Sequence, residues 1–349
     1  MGQTCSVNTC CAKEEIQTVK NSNRSIEISV KKSKHSLTNK NTNPGQVEDA
    51  NQNDIQIQSQ HSKVSIKEIE KNLNSQTDNQ NIHPLVKKTL GKQEKIKLPM
   101  ILLQNGATYE GEWLDGKREG YGKQQWPDGS VYEGEWKNDK SCGKGRLVHA
   151  DGDIYEGDWL DDQANGLGSY THDNGAKYIG EWLNDRQHGR GIEEWPDGAK
   201  YEGDYQCGKK HGSGKLVFAD GSYYQGEFFQ NEIQGHGTYQ WLDGRVYIGE
   251  WMNNKMNGIG ELKLPDGKIY KGEYDNDKKH GKGVFKWEDG RKYAGCWKQN
   301  KQHGVGIYLT NQNVEKIGYW EEGVRIKWYE EKEIKLLEAQ GILNEFRNL

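Results

Sequence analysis

The first eleven residues hold the side chains whose chemistry is easiest to name. Met1-Gly2-Gln3-Thr4-Cys5-Ser6 fits the M-G-x-x-x-[ST] pattern for N-myristoylation, in which removal of Met1 frees the Gly2 amine for acylation. One myristoyl chain binds membrane only marginally, so stable anchoring takes a second signal. Cys5, Cys10 and Cys11 are placed to supply it as palmitoyl thioesters. Lys31, Lys32 and Lys34 add a small attraction to anionic lipid. An unmodified tail with incidental thiols is the plainer alternative. A zinc site on Cys10-Cys11 lacks the further Cys or His that finger spacing requires.

Beyond the amino terminus, candidate chemistry thins out. His188, His211, His280 and His303 share one position in a repeat described below. If that repeat is a hairpin, adjacent copies lie about two strand spacings apart, roughly 9–10 Å. Zinc ligands must sit about 2.0–2.3 Å from one ion, so these histidines read as a turn ridge. The recurring Gly-x-Gly follows a turn and never precedes a helix or a Gly-Lys-Ser/Thr, so it is no phosphate loop. There is no G-x-S-x-G and no kinase motif set. Neither catalysis nor a metal or other cofactor is expected.

The elements that carry these residues come from one periodicity. From Tyr109 the chain repeats every 23 residues for ten rounds without insertion. Tyr-x-Gly-x-Trp recurs at Tyr109/Trp113, Tyr132/Trp136, Tyr155/Trp159 and Tyr178/Trp182. It continues at Tyr201, Tyr224, Tyr247/Trp251, Tyr270 and Tyr293/Trp297, with Tyr205, Phe228 and Tyr274 replacing three tryptophans. The tenth copy, Lys316/Gly318/Trp320, is degenerate. A fixed period of this length signals a stacked-repeat architecture.

Strict alternation places Tyr109, Gly111 and Trp113 on one face of a strand. Seven residues after the Trp comes Gly120-x-Gly122, then a second short strand that ends at an Asp-Gly or Asn-Gly pair such as Asp128-Gly129. The pattern predicts a two-stranded hairpin per repeat, with a tight Asp-Gly turn at one edge and a six-residue turn at the other. The intervening Gly leaves room for a ring to lie over backbone. The fold class expected is all-β: an elongated, single-layer, twisted antiparallel β-meander rod of 23-residue hairpin repeats, with a disordered N-terminal tail and a short C-terminal capping helix. The opposite face carries an acid between Gly and the aromatic (Glu112, Glu135, Asp158, through Glu273), broken at Cys296. It reads as a solvated charged face or an electrostatic docking strip.

Three segments follow. Residues 1–96 are rich in Asn, Gln, Ser and Lys with almost no aromatics, and cannot bury enough apolar surface to offset ordering entropy. Residues 97–328 form the repeat rod, and 329–349 a helix, interrupted near Gly341, that covers the last sheet edge. The chain carries a net charge of −4, and the tail is mildly basic, so the rod is acidic. An acidic rod is a poor nucleic-acid binder. No apolar run of 18 residues is present, and no signal peptide is evident. Cys142, Cys207 and Cys296 sit singly in separate repeats, as expected in a reducing compartment.

At 23-residue spacing, Tyr-x-Gly-x-Trp…Gly-x-Gly…Asp-Gly resembles the MORN (membrane occupation and recognition nexus) repeat, over about residues 97–322. The uninterrupted array with its Asn/Gln-rich tail is most similar to ciliate proteins of this kind. Similar arrays occur in junctophilins, radial spoke head proteins, protist cytoskeletal scaffolds and plant phosphatidylinositol-phosphate kinases. The resemblance implies an aromatic-lined groove, here Tyr109 through Trp297, and scaffolding, oligomerisation or membrane association. The function expected is a non-catalytic, membrane-tethered scaffold on the cytoplasmic face of a membrane (plasma membrane, cortex or cilium). It would bind a protein partner or itself as a homodimer. The alternatives are a phosphoinositide-binding module, against which the rod's acidity argues, and a regulatory subunit of a lipid kinase acting in trans.

Overall fold

The computed structural model describes residues 82–349. Gly2, Cys5, Cys10, Cys11, Lys31, Lys32, Lys34 and the expected disorder of residues 1–81 lie outside the described residues. Twenty-one strands form one antiparallel sheet, from β1 (Ile96–Leu102) to β21 (Val324–Trp328). Each strand pairs with its neighbours in sequence: β1 with β2 (Thr108–Leu114), β2 with β3 (Lys117–Gln125), and so on to β20 (Glu315–Glu321) with β21. The sheet is an open meander, as the periodicity implied.

The two turns of each repeat have exchanged roles relative to the expectation from sequence. The tight turn joins the Tyr-x-Gly-x-Trp strand to the next one. It contains two residues, both with positive φ, as at Asn138 (49°) and Asp139 (68°) or Asn253 (51°) and Asn254 (64°). Two positive φ values in a two-residue loop match the right-handed twist of the flanking strands. Asp128-Gly129 instead lies in the wider connection Trp126–Ser130, closed by the Trp126 N–H donating to the Ser130 carbonyl at 2.9 Å. The segment expected to be a long turn is therefore mostly strand.

That strand is irregular at Gly-x-Gly. Gly203 faces Gly214 while Asp204 faces His211, so Gly212 and Ser213 have no counterpart on that side. The first glycine takes positive φ (Gly212, 59°), and the second makes room for the tyrosine. A Cβ on Gly214 would lie 2.5 Å from the Tyr201 hydroxyl oxygen. One on Gly203 would lie 2.6 Å from the Gly214 Cα. The ring thus lies across both strands, in a seat only glycine leaves open.

A second device links successive tight turns. The Asn254 N–H donates to the Ile233 carbonyl at 3.0 Å, and the Asn254 Oδ1 accepts from the Ile233 N–H at 2.7 Å. The same pair of bonds joins Asp139 to Arg118, Asp162 to Ser141, Asp185 to Ala164, Asn231 to Lys210, Asp277 to Met256 and Asn300 to Lys279. Gly208 and Gly323 keep only the backbone bond. The result is a continuous ladder along one edge of the repeats.

Both ends of the repeat array are finished by other elements. Within the stretch expected to be disordered, α1 (Pro84–Lys87) begins at a His83 cap whose ring accepts from the Leu85 N–H. Val86 is buried in a cluster with Leu98, Ile101 and Tyr109. Thr89 Oγ1 accepts from the Gly116 N–H at 2.9 Å, taking the place a preceding turn would fill. At the other end, α2 (Glu331–Ala339) and α3 (Ile342–Arg347) are separated by Gly341, in the left-handed region at φ 76°. They cover a face rather than the edge. Leu343 and Phe346 pack on Val284, Ala294, Ile307 and Ile317, opposite the tyrosine face. β21 keeps exposed Val324 and Ile326. The reason is compositional: in these last repeats the opposite face carries a run of paired apolar residues, Val284 with Ala294 and Ile307 with Ile317.

Candidate functional site

The repeated aromatic face is the surface that the sequence singles out. Each tyrosine meets two indoles or their replacements edge to face: Tyr109 lies 5.2 Å from Trp113 and 5.4 Å from Trp136, and Tyr132 lies 5.0 Å from Trp136 and 5.2 Å from Trp159. The pattern continues to Tyr293, between Trp297 and Trp320. Such edge-to-face pairs contribute about 0.5–1.5 kcal/mol each beyond area burial.

The polar tips are also consumed internally. The Tyr132 hydroxyl donates to the Glu135 carbonyl at 3.0 Å, and the Trp136 Nε1 donates to the Gly122 carbonyl at 3.1 Å. The tyrosine bond recurs at Tyr109, Tyr155, Tyr178, Tyr201, Tyr224, Tyr247, Tyr270 and Tyr293. Burial raises the pKa of every one of these phenols.

The rings expected to line a groove are therefore the interior of the sheet's covered face. Tyr109, Trp113, Tyr132, Trp136, Tyr155, Trp159, Tyr178, Tyr201, Tyr224, Tyr247, Trp251, Tyr270, Tyr293 and Trp297 are buried, and Trp182 is half-buried. What reaches solvent is a second rank that residue types alone did not separate from them: Trp195, Phe218, Trp241, Phe285, Trp287, Tyr308 and Trp328, all half-buried. They come from the ends of the second strands and the wide connections. The exchanged turns decide this, because the wide connection brings its aromatic over the neighbouring repeat.

One repeat position brings basic side chains onto this face at Arg118, Lys210, Lys279 and Arg325, and Arg245, Arg291 and Lys316 also lie over its rings. Arg118 lies 4.2 Å from the Trp136 ring and pairs with Asp139 at 3.3 Å. Lys210 is buried, 4.8 Å from Trp195, and pairs with Glu193 at 2.8 Å. Lys279 lies 5.1, 4.9 and 5.4 Å from Tyr270, Phe285 and Trp297, and burial lowers its amine to about 8. Arg325 lies 4.4 Å from Trp328, in a cleft of about 480 Å³ that Lys316 and Trp320 also line.

The acids of the opposite face have a structural role that spacing alone did not disclose. Glu135 accepts from the Lys144 N–H at 2.9 Å, Asp204 from Ser213 at 2.9 Å and Glu273 from Lys282 at 2.9 Å. These are the N–H groups that the strand irregularity leaves unpaired, so the carboxylate substitutes for a strand carbonyl. Cys296 cannot, and its repeat lacks the bond. The four aligned histidines lie on four separate strands, and no group of three or more His, Cys, Asp or Glu among the described residues is arranged to hold a metal. No described helix is long and apolar enough to cross a membrane.

The profile of the MORN repeat matches nine consecutive segments: 109–131, 132–154, 155–177, 178–200, 201–223, 224–244, 247–269, 270–290 and 293–313. No curated protein matches this sequence. Among solved structures, the TCP10 domain of Danio rerio CPAP in complex with a peptide of Danio rerio STIL is similar at 11% identity and a TM-score of 0.37, covering 68% of this chain and 99% of that one. The SAS-4 (dCPAP) TCP domain of Drosophila melanogaster, in complex with a proline-rich motif of Ana2, is similar at 16% identity and a TM-score of 0.29, covering 45% and 85%.

Proposed function

The chain belongs to the MORN-repeat family, and from that premise we propose that it is a non-catalytic scaffold, tethered to a membrane by its amino terminus and binding proteins through its sheet. The observation that carries the scaffold reading is the internal use of polar groups. In repeat after repeat the phenol, the indole N–H and the acid of the opposite face bond within the sheet. A sheet so constructed leaves few groups poised for chemistry and presents two long, regular faces. The half-buried second rank of aromatics supplies contact area on one of them, and aromatic rings are enriched at protein interfaces.

Tethering rests on Gly2 with Cys5, Cys10 and Cys11, since two acyl signals together give stable anchoring. The test is cell fractionation of the full chain against a variant carrying Gly2→Ala with Cys5→Ser, Cys10→Ser and Cys11→Ser. The variant is expected in the soluble fraction. Unchanged pelleting with membranes would sink the tether. Imaging of the same pair places the wild type at cortex, cilium or vesicles, and light scattering on the full chain reads self-association.

A further inference from the structure

Three repeats apart, the sheet contains the same arrangement twice, once complete and once with a part missing. On β9 (Arg186–Glu194), Glu193 faces Tyr178 and Tyr201. Its carboxylate accepts from the Tyr205 hydroxyl at 2.9 Å and pairs with Lys210 at 2.8 Å. On β15 (Lys255–Lys263), Leu262 stands at the same position, facing Tyr247 and Tyr270. The tyrosine and lysine are retained as Tyr274 and Lys279, opposite one another across β16 (Ile269–Asp275) and β17 (Lys278–Lys286). The Tyr274 hydroxyl is buried with no hydrogen-bond partner among the described residues. The Lys279 ammonium touches rings, and no carboxylate among the described residues pairs with it.

We propose that Lys279 and Tyr274, together with Arg325 two repeats further on, bind carboxylates of an extended acidic segment of a partner protein. This deepens the protein-binding reading above and rests on it. The ligand class is given by the chain itself, because Glu193 is the carboxylate that an equivalent lysine and tyrosine already hold. A buried donor without an acceptor is destabilising, and an incoming carboxylate relieves that at Tyr274 while neutralising Lys279. Burial depresses the Lys279 amine to about 8.

A track of half-buried rings connects the two cationic ends. Phe285 lies 4.7 Å from Trp287, Trp287 lies 6.1 Å from Tyr308, and Tyr308 lies 6.2 Å from Trp328, over which Arg325 sits. Lys316 lines the same cleft as Arg325, where the degenerate tenth repeat has replaced its tyrosine. Neither Lys316 nor Arg325 forms an ion pair within the described residues, whereas Arg118 and Lys210 both do. Two repeats are four strand spacings, ~19 Å, which an extended chain covers in about six residues. The segment therefore carries acids about six residues apart, with side chains between them that lie on aromatic rings.

The experiment uses the full chain and a fluorescein-labelled peptide with two glutamates six positions apart, the intervening residues alternating Ser and Val. Fluorescence anisotropy is expected to show this peptide binding at least tenfold more tightly than its Gln/Gln counterpart. Leu262→Glu, which supplies the missing carboxylate internally, is expected to weaken binding at least tenfold while leaving circular dichroism unchanged. Arg325→Gln is expected to do the same. Equal binding of the Glu and Gln peptides, no binding at millimolar concentration, or full binding by Leu262→Glu would each overturn the proposal. So would binding of phosphatidylserine vesicles that Leu262→Glu abolishes while the peptide stays unbound. Membrane fractionation is independent of these residues, so failure here leaves the tether standing.

Discussion

Asn254 offers a way to weigh the turn ladder, because the repeats contain the same position with and without its side chain. Asn254 sits at φ 64°, and its Oδ1 accepts from the Ile233 N–H at 2.7 Å. Asn254→Ala removes that acceptor, worth about 1 kcal/mol net. It also leaves a Cβ residue without local hydrogen bonding in the left-handed region, at about 1–2 kcal/mol. The expected loss is thus about 2–3 kcal/mol. Asn254→Gly removes the bond but not the conformational fit, so its loss is smaller, about 1–2 kcal/mol once the added backbone freedom of glycine is counted. The reverse change is available at Gly208, where φ is 82° and a Cβ would meet nothing within 4 Å. Gly208→Asn is expected to gain about 1 kcal/mol by giving the Gln187 N–H an acceptor. Urea unfolding of the chain, followed by tryptophan fluorescence, measures all three. Nearest-neighbour coupling makes a central repeat visible in the main transition. The reasoning fails if Gly208→Asn gives no stabilisation, or if the Ala and Gly variants of Asn254 are equal.

Two further outcomes follow from the packing and the titrating groups. Gly249→Ala places a Cβ 2.5 Å from the Gly260 Cα and 2.7 Å from the Ile259 carbonyl oxygen. Because both obstacles are backbone, the expected cost is at least about 3 kcal/mol, read from the same urea transition. For pH, Lys279 and the buried tyrosines act in opposite directions. The folded chain releases the Lys279 proton near 8, below the ordinary lysine value of 10.5, so stability rises across that interval at roughly 1.4 kcal/mol per pH unit. The tyrosines have raised pKa values, so their contribution is full below the ordinary value of 10.0 and is lost above it. Lys279→Met should flatten the rise between pH 8 and 10 and leave the alkaline fall in place. Urea midpoints against pH, with tyrosinate absorbance as the alkaline probe, check both limbs.

Several of these features are legible in residue types, and others are not, for identifiable reasons. Alternation in Tyr-x-Gly-x-Trp locates one strand and its face, and glycine between aromatics marks the ring seat. The turns mislead because Asp-Gly is a stronger hairpin signal than Asn-Asp or Asn-Asn. In this chain the weaker pair closes the tight turn, since its side chains also build the ladder. The aromatics point to a groove only as a class. Burial splits them, because each Tyr is closed over by its own Trp and the next, whereas Trp287 or Trp328 has a neighbour on only part of its surface. α1 is hidden in a polar stretch because its single buried residue, Val86, gives no periodicity. The pairing of Lys279 with a missing acid emerges only when Glu193 and Leu262 are found to face equivalent tyrosines.

Every strand in this sheet pairs only with the strands next to it in sequence, and the ring contacts and the bonds between turns reach only one repeat further. The chain therefore behaves as a countable length. Excising 23 residues removes one ring seat, one turn bond and two strands together, and rejoins equivalent backbone at both cuts, shortening the sheet by roughly 10 Å. Excising 22 or 24 flips every following side chain to the wrong face. Distance along this protein can be altered in whole steps, and the position of Lys279 relative to Arg325 is set in the same unit.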